Sequence, residues 1–567
     1  MDARTFAESF ELLAELPNGV QKLREMILRL AVKGKLMRQD PEDEPASNWL
    51  HAVSARKREL IREDKLRGER APRPVGAEDK PYDLPAGWAW ARLGAITEKL
   101  GAGSTPLGGK RVYQDTGIKF LRSQNVWNSG LRLDDVAYVP DEIHERMSGT
   151  VVRPGDVLLN ITGASIGRCA VVPDDFDEGN VSQHVAIVRL VDKTMRRFLH
   201  TALISPFLQD TVMSVQVGIS REGLSMTRLR EFPIPVPPLR EQHRIVAKVD
   251  ELMAPCDELE AAQKKKRQTR VRLNGAALHK LTTATAPADF AHHWQRVRDH
   301  FDLLYDTPET VDELRQAVLQ LAVRGKLVRQ DPSDEPAEVL LGRIAEERER
   351  LSREGKLRKP KAAPVTDATE LPHALPRGWT WARFGDVATI ASDLVTPQKH
   401  PDLPHIAPDN IEKGTGRLLP YRTVVEDDVR SPNHRFHAGQ IIYSKIRPNL
   451  SKAVLVDFDG LCSADMYPVV SHISVDYLLR YILSPTFLNM AVKNDTRVAM
   501  PKINQTTLNA ILVAVPPLDE QHRIVAKVEE LMALCDELEA KLNQARTDGE
   551  RLMEAVVARL VEPAHVA

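Results

Sequence analysis

The sequence predicts an α+β protein: two mixed α/β domains separated by long antiparallel coiled-coil helices, built by internal duplication with pseudo-two-fold symmetry. Three observations predict it. The segment VPPLREQHRIVAKVDELMAPCDELEA beginning at Val236 is written again from Val515, with changes only at Arg240/Asp519, Asp250/Glu529 and Pro255/Leu534. Two more markers, LAVKGKLMRQDPEDEPA (Leu30–Ala46) and LPAGWAWARLG (Leu84–Gly94), recur at an offset of 291 as LAVRGKLVRQDPSDEPA (Leu321–Ala337) and LPRGWTWARFG (Leu375–Gly385). Between the markers, Ala95–Pro235 and Asp386–Ala514 resemble each other little. So long a period excludes a solenoid and indicates a tandem copy of a whole unit. The opening pair recurs at 279, so the second copy is 12 residues shorter after Gly385.

A chain of 567 residues is too long for one core. In order, the expected parts are a repeated helical segment (1–83), a first variable domain (84–238), and a central helical spacer with the second repeated segment (239–374). A second variable domain (375–517) and a final spacer helix (518–567) follow. In the repeated segment Val20, Leu23, Ile27 and Leu30 make one helical face, echoed by Val311, Leu314, Val318 and Leu321, with Gly34 and Gly325 as stops. In the variable domains GDVLLNITGASIGRCAVV (Gly155–Val172) and GQIIYSKIRPNLSKAVLV (Gly439–Val456) each predict strand, polar loop, strand.

The repeated long helix carries Ile245, Val249, Leu252, Cys256 and Leu259, and in its second copy Ile524, Val528, Leu531, Cys535, Leu538 and Leu542, at the 4,3 spacing of a coiled-coil seam. Asp519 is placed to cap the second copy, and Glu241 and Glu520 suit a first turn. Pro255 predicts a kink or restart, since proline inside a helix costs about 3 kcal/mol. The competing reading packs these stripes inside the domains. The charged continuation AAQKKKRQTRVR, and the roughly 60 Å length of a helix of about 40 residues, favour an exposed spacer.

Composition sets limits on function. Lys and Arg number 78 against 79 Asp and Glu, a formal charge of −1, which argues against coating nucleic acid by bulk charge but allows a local basic surface. No run of about eighteen apolar residues predicts a membrane span, and the start MDARTFAESFELLAELP lacks a signal-peptide pattern. Four cysteines without a CxxC predict reduced thiols in a cytoplasmic protein rather than disulfides or zinc. GSTPLGGKR fails as a phosphate loop, with Ser104 for the first glycine and Arg111 for the magnesium-holding hydroxyl. His243 and His522 have no ligand-spaced neighbours. No catalytic residue, metal site or cofactor of its own is expected in this chain.

The polar loops are the candidate reading surface. In the first domain Arg122, Gln124, Asn125, Asn160, Thr162, Ser165, Arg168, Gln183, His184, Ser220 and Arg221 suit phosphates or base edges. In the second, Asn410, Lys445, Arg447, Asn449, Lys452, Ser463, Lys502, Asn504 and Gln505 do. The run Lys264–Arg267, with Arg270 and Arg272, reads first as a solvated helix face and second as a contact to spacer phosphates.

The motifs GKLxRQDPxDEPA, LPxGWxWxRxG, PGDVLLNITGASIGR, YSKIRPNLSKA and VPPLxEQHRIVAKVxEL resemble the specificity subunit of type I restriction–modification enzymes, over nearly the whole chain. The long N-terminal helical segment is similar to the larger subclass of that family. The resemblance implies two target recognition domains, each binding half of an asymmetric bipartite site in double-stranded DNA. It implies helices that set the spacer and dock two adenine-methyltransferase subunits, with restriction (translocase and nuclease) subunits joining. S-adenosylmethionine, ATP and magnesium would then belong to those partners. The nearest stretch to an adenine-methyltransferase motif, DKPYD at Asp79, lacks its first proline. Two other readings stay open: a coiled-coil scaffold that binds protein, and a self-sufficient DNA-modifying enzyme.

Overall fold

The computed structural model describes residues 18–66, 72–214, 223–354, 371–492 and 501–561. The chain forms two compact units, Met1–Lys265 with Arg546–Ala567, and Lys266–Ala545.

In the first unit, helices Gly19–Val32 and Ala46–Arg62 precede the first variable domain. Strand β1 (Ala89–Arg92) pairs antiparallel with the distant β12 (Pro233–Val236), closing the domain at its base. One sheet has the order β2-β11-β8-β9 (Thr97–Ala102, Val185–Leu190, Val157–Asn160, Cys169–Val171). A second has the order β6-β3-β10-β7 (Ala137–Val139, Ile118–Leu121, Gly179–Val181, Val151–Val152). Only β3 and β10 pair in parallel within these two sheets. A short hairpin, β4 (Val126–Trp127) and β5 (Gly130–Leu131), stands beside them.

The period of two in GDVLLN explains the layering. Val157 and Leu159 of β8 join the helices in one core with Ala186 and Val188, while Leu158 turns to a second core with Val185 and Ile187 between the sheets. Both faces are buried, so the strand reads as a continuous apolar run.

The second unit repeats the plan. Helices Pro308–Val323 and Ala337–Arg353 lead into β13 (Thr380–Arg383), which pairs with β23 (Leu512–Val515). The order β14-β22-β19-β20 (Ala388–Ile390, Met466–Ser471, Ile441–Ser444, Ala453–Leu455) matches the first sheet of the first unit. The other sheet runs β15-β18-β21-β16-β17 (Leu394–Val395, Asn433–Phe436, Gly460–Cys462, Pro404–Ile406, Arg422–Thr423), again with one parallel pair, β16 and β21. Ile441 and Tyr443 face the helices while Ile442 faces the second core. The two variable domains share a fold that their sequences conceal.

Two helices of 45 and 44 residues, Leu239–Thr283 and Leu518–Val561, each begin in one unit and end in the other. Their apolar stripes pack into the domain cores as well as toward the other long helix, where Cys256 shares a core with Met553. Ile245 and Val249 are buried in the first unit's own core, with Leu252 and Leu259 packed against it. Ile524 and Val528 are buried in the core of the second unit, with Leu531 at its edge, and Leu538 joins a small cluster with Val297, Leu304 and Tyr305. Leu542 is half-buried. The first turns of each long helix are thus domain core, because the preceding strand delivers them directly onto the base of its sheet. The far ends complete the opposite units: Met553 lies in the first unit's core, and Leu278 and Leu281 are buried in the second.

Pro255 does not restart the helix, which runs unbroken through it. Pro255 and Glu251, whose carbonyl loses its partner, are both exposed, which leaves that acceptor open to solvent. Asp519 lies inside the first turn rather than at the cap.

The repeated motifs meet in one lock, written twice. Trp88 Nε1 donates to Glu241 Oε2 at 2.9 Å and Gln39 Nε2 to Glu241 Oε1 at 3.2 Å, while Arg244 pairs with Asp43. In the second unit Trp379 and Gln330 donate to Glu520 at 3.0 and 3.1 Å, and Arg523 pairs with Asp334. Gly34 (φ 65°) and Gly325 (φ 63°) lie against Pro85 and Pro376, where a Cβ would meet the ring at 2.5 and 2.4 Å. Only glycine combines that conformation with that approach. This lock ties helical arm, sheet base and long helix together, which accounts for the repetition of GKLxRQDPxDEPA, GWxW and EQHR.

Candidate nucleic-acid interface

In each variable domain the polar loops converge on one end of the two sheets. In the first, the chain leaving β3 (Arg122–Asn125), the turn joining β8 and β9 (Ile161–Arg168) and the turn joining β10 and β11 (Ser182–His184) are linked to one another. Asn160 donates to the Ser123 carbonyl at 2.8 Å, Ser182 N to the Leu121 carbonyl at 2.9 Å, and Thr162 meets His184 at 2.5 Å. Gly163 and Gly167, with φ of 74° and 84°, allow the tight β8–β9 turn.

The structure sorts the sequence candidates by what their side chains already hold. Asn125 is 2% exposed; its Oδ1 accepts the Arg122 N–H and its Nδ2 donates to the Arg132 carbonyl. Asn160 is 0% exposed and holds Ser123 and Ser165. These two are corrected: both are buried and shape the rim from beneath, Asn125 with both ends of its amide spent on the turn and Asn160 with its Nδ2 spent, so neither is presented to DNA. Arg122 donates to the Asp135 carbonyl at 2.7 Å and Gln124 to the Asp135 carboxylate at 2.5 Å. Gln183 and His184 are exposed, with 3.1 Å between Gln183 Nε2 and His184 Nε2, and Thr162, Ser165 and Arg168 are half-buried. Ser220 and Arg221 lie outside the described residues.

The second domain builds the same rim from other residues. Asn410 occupies the place of Asn125, with Oδ1 accepting the Ala407 N–H and Nδ2 donating to the Pro420 carbonyl, both at 2.8 Å. Lys445 donates to the Ala464 carbonyl at 2.6 Å and Lys452 to that of Pro408 at 2.7 Å. Lys502 lies 3.1 Å from Asp465, whose N–H donates to Ser463. Arg447 has φ of 48° and precedes the turn Pro448–Leu450 that contains Asn449. Asn504 accepts the Thr507 N–H at 2.8 Å and so caps the helix Gln505–Ala510. The cap is a structural task, leaving Gln505 in the first turn.

Sequence reasoning missed Trp127 and Arg132, which sit against Arg168 in this rim. The available signal was a lone tryptophan in the polar run SQNVWNSG. The basic run on the first long helix is partly committed: Arg267 pairs with Glu309 at 2.5 Å and Arg270 with Asp306.

Other chemistry is sparse. The four cysteines are unpaired and buried, and burial pushes the Cys462 thiol up to about 12 and that of Cys169 further up. Among the described residues, no three His, Cys, Asp or Glu side chains gather as metal ligands, and no helix is long and apolar enough to cross a membrane.

The chain matches the family described as type I restriction modification DNA specificity domain twice, over residues 85–267 and 376–545. It is 30% identical to the type I restriction enzyme EcoAI specificity subunit of Escherichia coli, over 95% of this chain and 93% of that protein. It is 29% identical to the EcoEI specificity subunit of the same species over the same shares of the two chains. The crystal structure of the HsdS subunit from Thermoanaerobacter tengcongensis aligns over 84% of this chain and 97% of that one, at 19% identity and a TM-score of 0.35. With two matching regions, each spanning one of the paired-sheet domains, the chain belongs to the type I restriction modification DNA specificity domain family and is a specificity subunit with two target recognition domains in tandem.

Proposed function

We propose that each target recognition domain binds one half of an asymmetric bipartite site in double-stranded DNA, that the long helices set the unread gap between the halves, and that the helical frame docks two adenine-methyltransferase subunits. Restriction subunits join that assembly, and S-adenosylmethionine, ATP and magnesium are held by the partners. This chain supplies recognition and no chemistry, and works in the cytoplasm.

One observation carries the reading: the same fold occurs twice, with a duplicated frame and unlike side chains on the equivalent rim. Asn125 and Asn410 hold the same turn, while the positions of Arg122 and Gln124 in one domain are taken by Ala407 and Asp409 in the other. A frame held constant under a changed rim is what two readers of different sequences require. The balance of 78 basic and 79 acidic residues implies weak binding by the chain alone and tighter, salt-sensitive binding once partner subunits contribute phosphate contacts.

The test is a genome-wide methyladenine map of the source cells with this gene intact and deleted. Loss of one gapped, asymmetric motif on deletion is expected. An unchanged map, in cells shown to express the chain and the methyltransferase, would overturn the reading.

A further inference from the structure

The β4–β5 hairpin of the first recognition domain carries an arrangement absent from its counterpart. Trp127 donates its indole N–H to the Gln124 carbonyl at 2.8 Å, which fixes the ring. The Arg132 guanidinium carbon lies 3.7 Å from the indole centroid and that of Arg168 3.8 Å. Both cannot share a face: the two carbons would overlap, since non-bonded carbons settle at about 3.5–4.0 Å, and like charges would meet. They therefore occupy opposite faces, Arg132 reaching in from the chain after β5 and Arg168 from the turn before β9. Neither guanidinium makes a hydrogen bond or ion pair with a described residue. Arg132 is exposed and Arg168 half-buried.

At the equivalent positions the second domain has Glu412, Leu419 and Lys452. Glu412 accepts from Thr415 at 2.8 Å, Lys452 is bound to the Pro408 carbonyl at 2.7 Å, and Leu419 offers no donor. The hairpin arginine there, Arg417, pairs with Asp536 of the second long helix. The column is private to the first domain.

We propose that Trp127 clamps Arg132 and Arg168 as a pair of guanine readers for the half-site of the first recognition domain; this rests on the DNA-reading function proposed above. Stacking covers the flat faces of both guanidinium groups and leaves their N–H edges open, the geometry that pairs bidentately with guanine O6 and N7. Clamping also removes side-chain freedom before DNA arrives, so less is lost on binding. On opposite faces the two guanidinium carbons stand at most about 7.5 Å apart, near two base-pair steps of about 3.4 Å each. That spacing fits guanines two steps apart, on either strand. A phosphate contact would use the same fork, but it would weaken binding alike at every sequence rather than relax one base position.

The experiment compares methyladenine motifs in cells carrying the complete complex with the parental chain, R132K, R168K, W127A or W127F. Lysine keeps the charge and loses the fork. R132K and R168K should each relax one position of one half-site, lowering discrimination against the wrong base about 10- to 100-fold, with the other half-site and the gap unchanged. W127A should relax both positions and W127F, which keeps two stacking faces, should do so less. Unchanged motifs in both lysine variants would overturn the proposal. So would equal loss of methylation at every variant site, the mark of phosphate contact or of simple damage; R132K alters an exposed residue and leaves the core intact. A parental chain that directs no gapped motif would instead defeat the proposed function itself, and this proposal with it.

Discussion

Asp156 and Arg189 show how far one residue pair sets the two domains apart. Asp156 is fully buried and accepts two bonds of 2.7 Å from Arg189, plus one of 2.7 Å from the Arg153 N–H. In the second domain Gln440 stands where Asp156 does, accepting the His437 N–H at 3.1 Å, and Val470 stands where Arg189 does. One domain uses a buried ion pair where the other uses a neutral turn and an apolar strand residue. Removing one partner of such a pair leaves an uncompensated buried charge, so D156A should destabilise the first unit by about 3–5 kcal/mol. Scanning calorimetry should show a transition that moves down while that of the second unit stays. The paired change D156Q/R189V, which copies the second domain, should cost much less; an equal cost would mean that the charges are not what matters there. Residue identity in the sequence pointed to polar loops, yet could not separate an asparagine that shapes a rim from one that faces out. Asn125 and Asn160 differ from Gln183 only by backbone groups brought near in the fold.

At the scale of elements, the long helices and their locks carry the energetic weight. Replacing Pro255 by alanine restores a backbone donor to the Glu251 carbonyl without disturbing a buried contact. P255A should therefore stabilise the first unit, by up to about 3 kcal/mol, read as a raised melting temperature; no gain would show that the helix has adapted around the proline. The locks respond to pH. Burial raises the carboxyls of Glu241 and Glu520 above their ordinary range, against the opposing effect of their Trp, Gln and Arg partners. A raised carboxyl binds its proton more tightly in the folded state, so its contribution is complete below the ordinary carboxylate range and is lost as pH rises through the raised value. Against E241Q/E520Q, the parental chain should thus have its greatest melting-temperature advantage at acid pH, shrinking toward neutrality. An advantage that grew with pH would show that the lock is built for the ionised form. The helical period was legible in the sequence; its partner was not. A stripe such as Ile245-Val249-Leu252 states that one face is buried, and the 4,3 spacing serves a domain core as well as a coiled coil.

For the whole molecule, duplication makes one construction rule serve twice: each unit is finished by the far end of the helix that starts in the other. In the proposed function those helices set the gap. Deleting one heptad from both, about 10 Å of helix, should shorten the unread gap by about three base pairs at about 3.4 Å each, leaving both half-sites as they were. A methyladenine map with the same gap would refute the role of the helices as a spacer.

The sequence by itself determined the duplication, the helical frame, the strand–loop–strand ribs of each variable domain and the family, because these are local patterns and repeats visible along the chain. Even the lock was present as repeated letters, though not as contacts. Tertiary structure decided that two dissimilar variable domains share one sheet order, that the helix stripes pack into domain cores, and which rim residues are spent on turns. It also put Trp127 between two arginines that lie 5 and 41 residues further along the chain. The physical reason is the same in each case. Periodicity and propensity act over a few residues, whereas burial, hydrogen-bond partners and stacking are set by which distant segments the sheet register brings together.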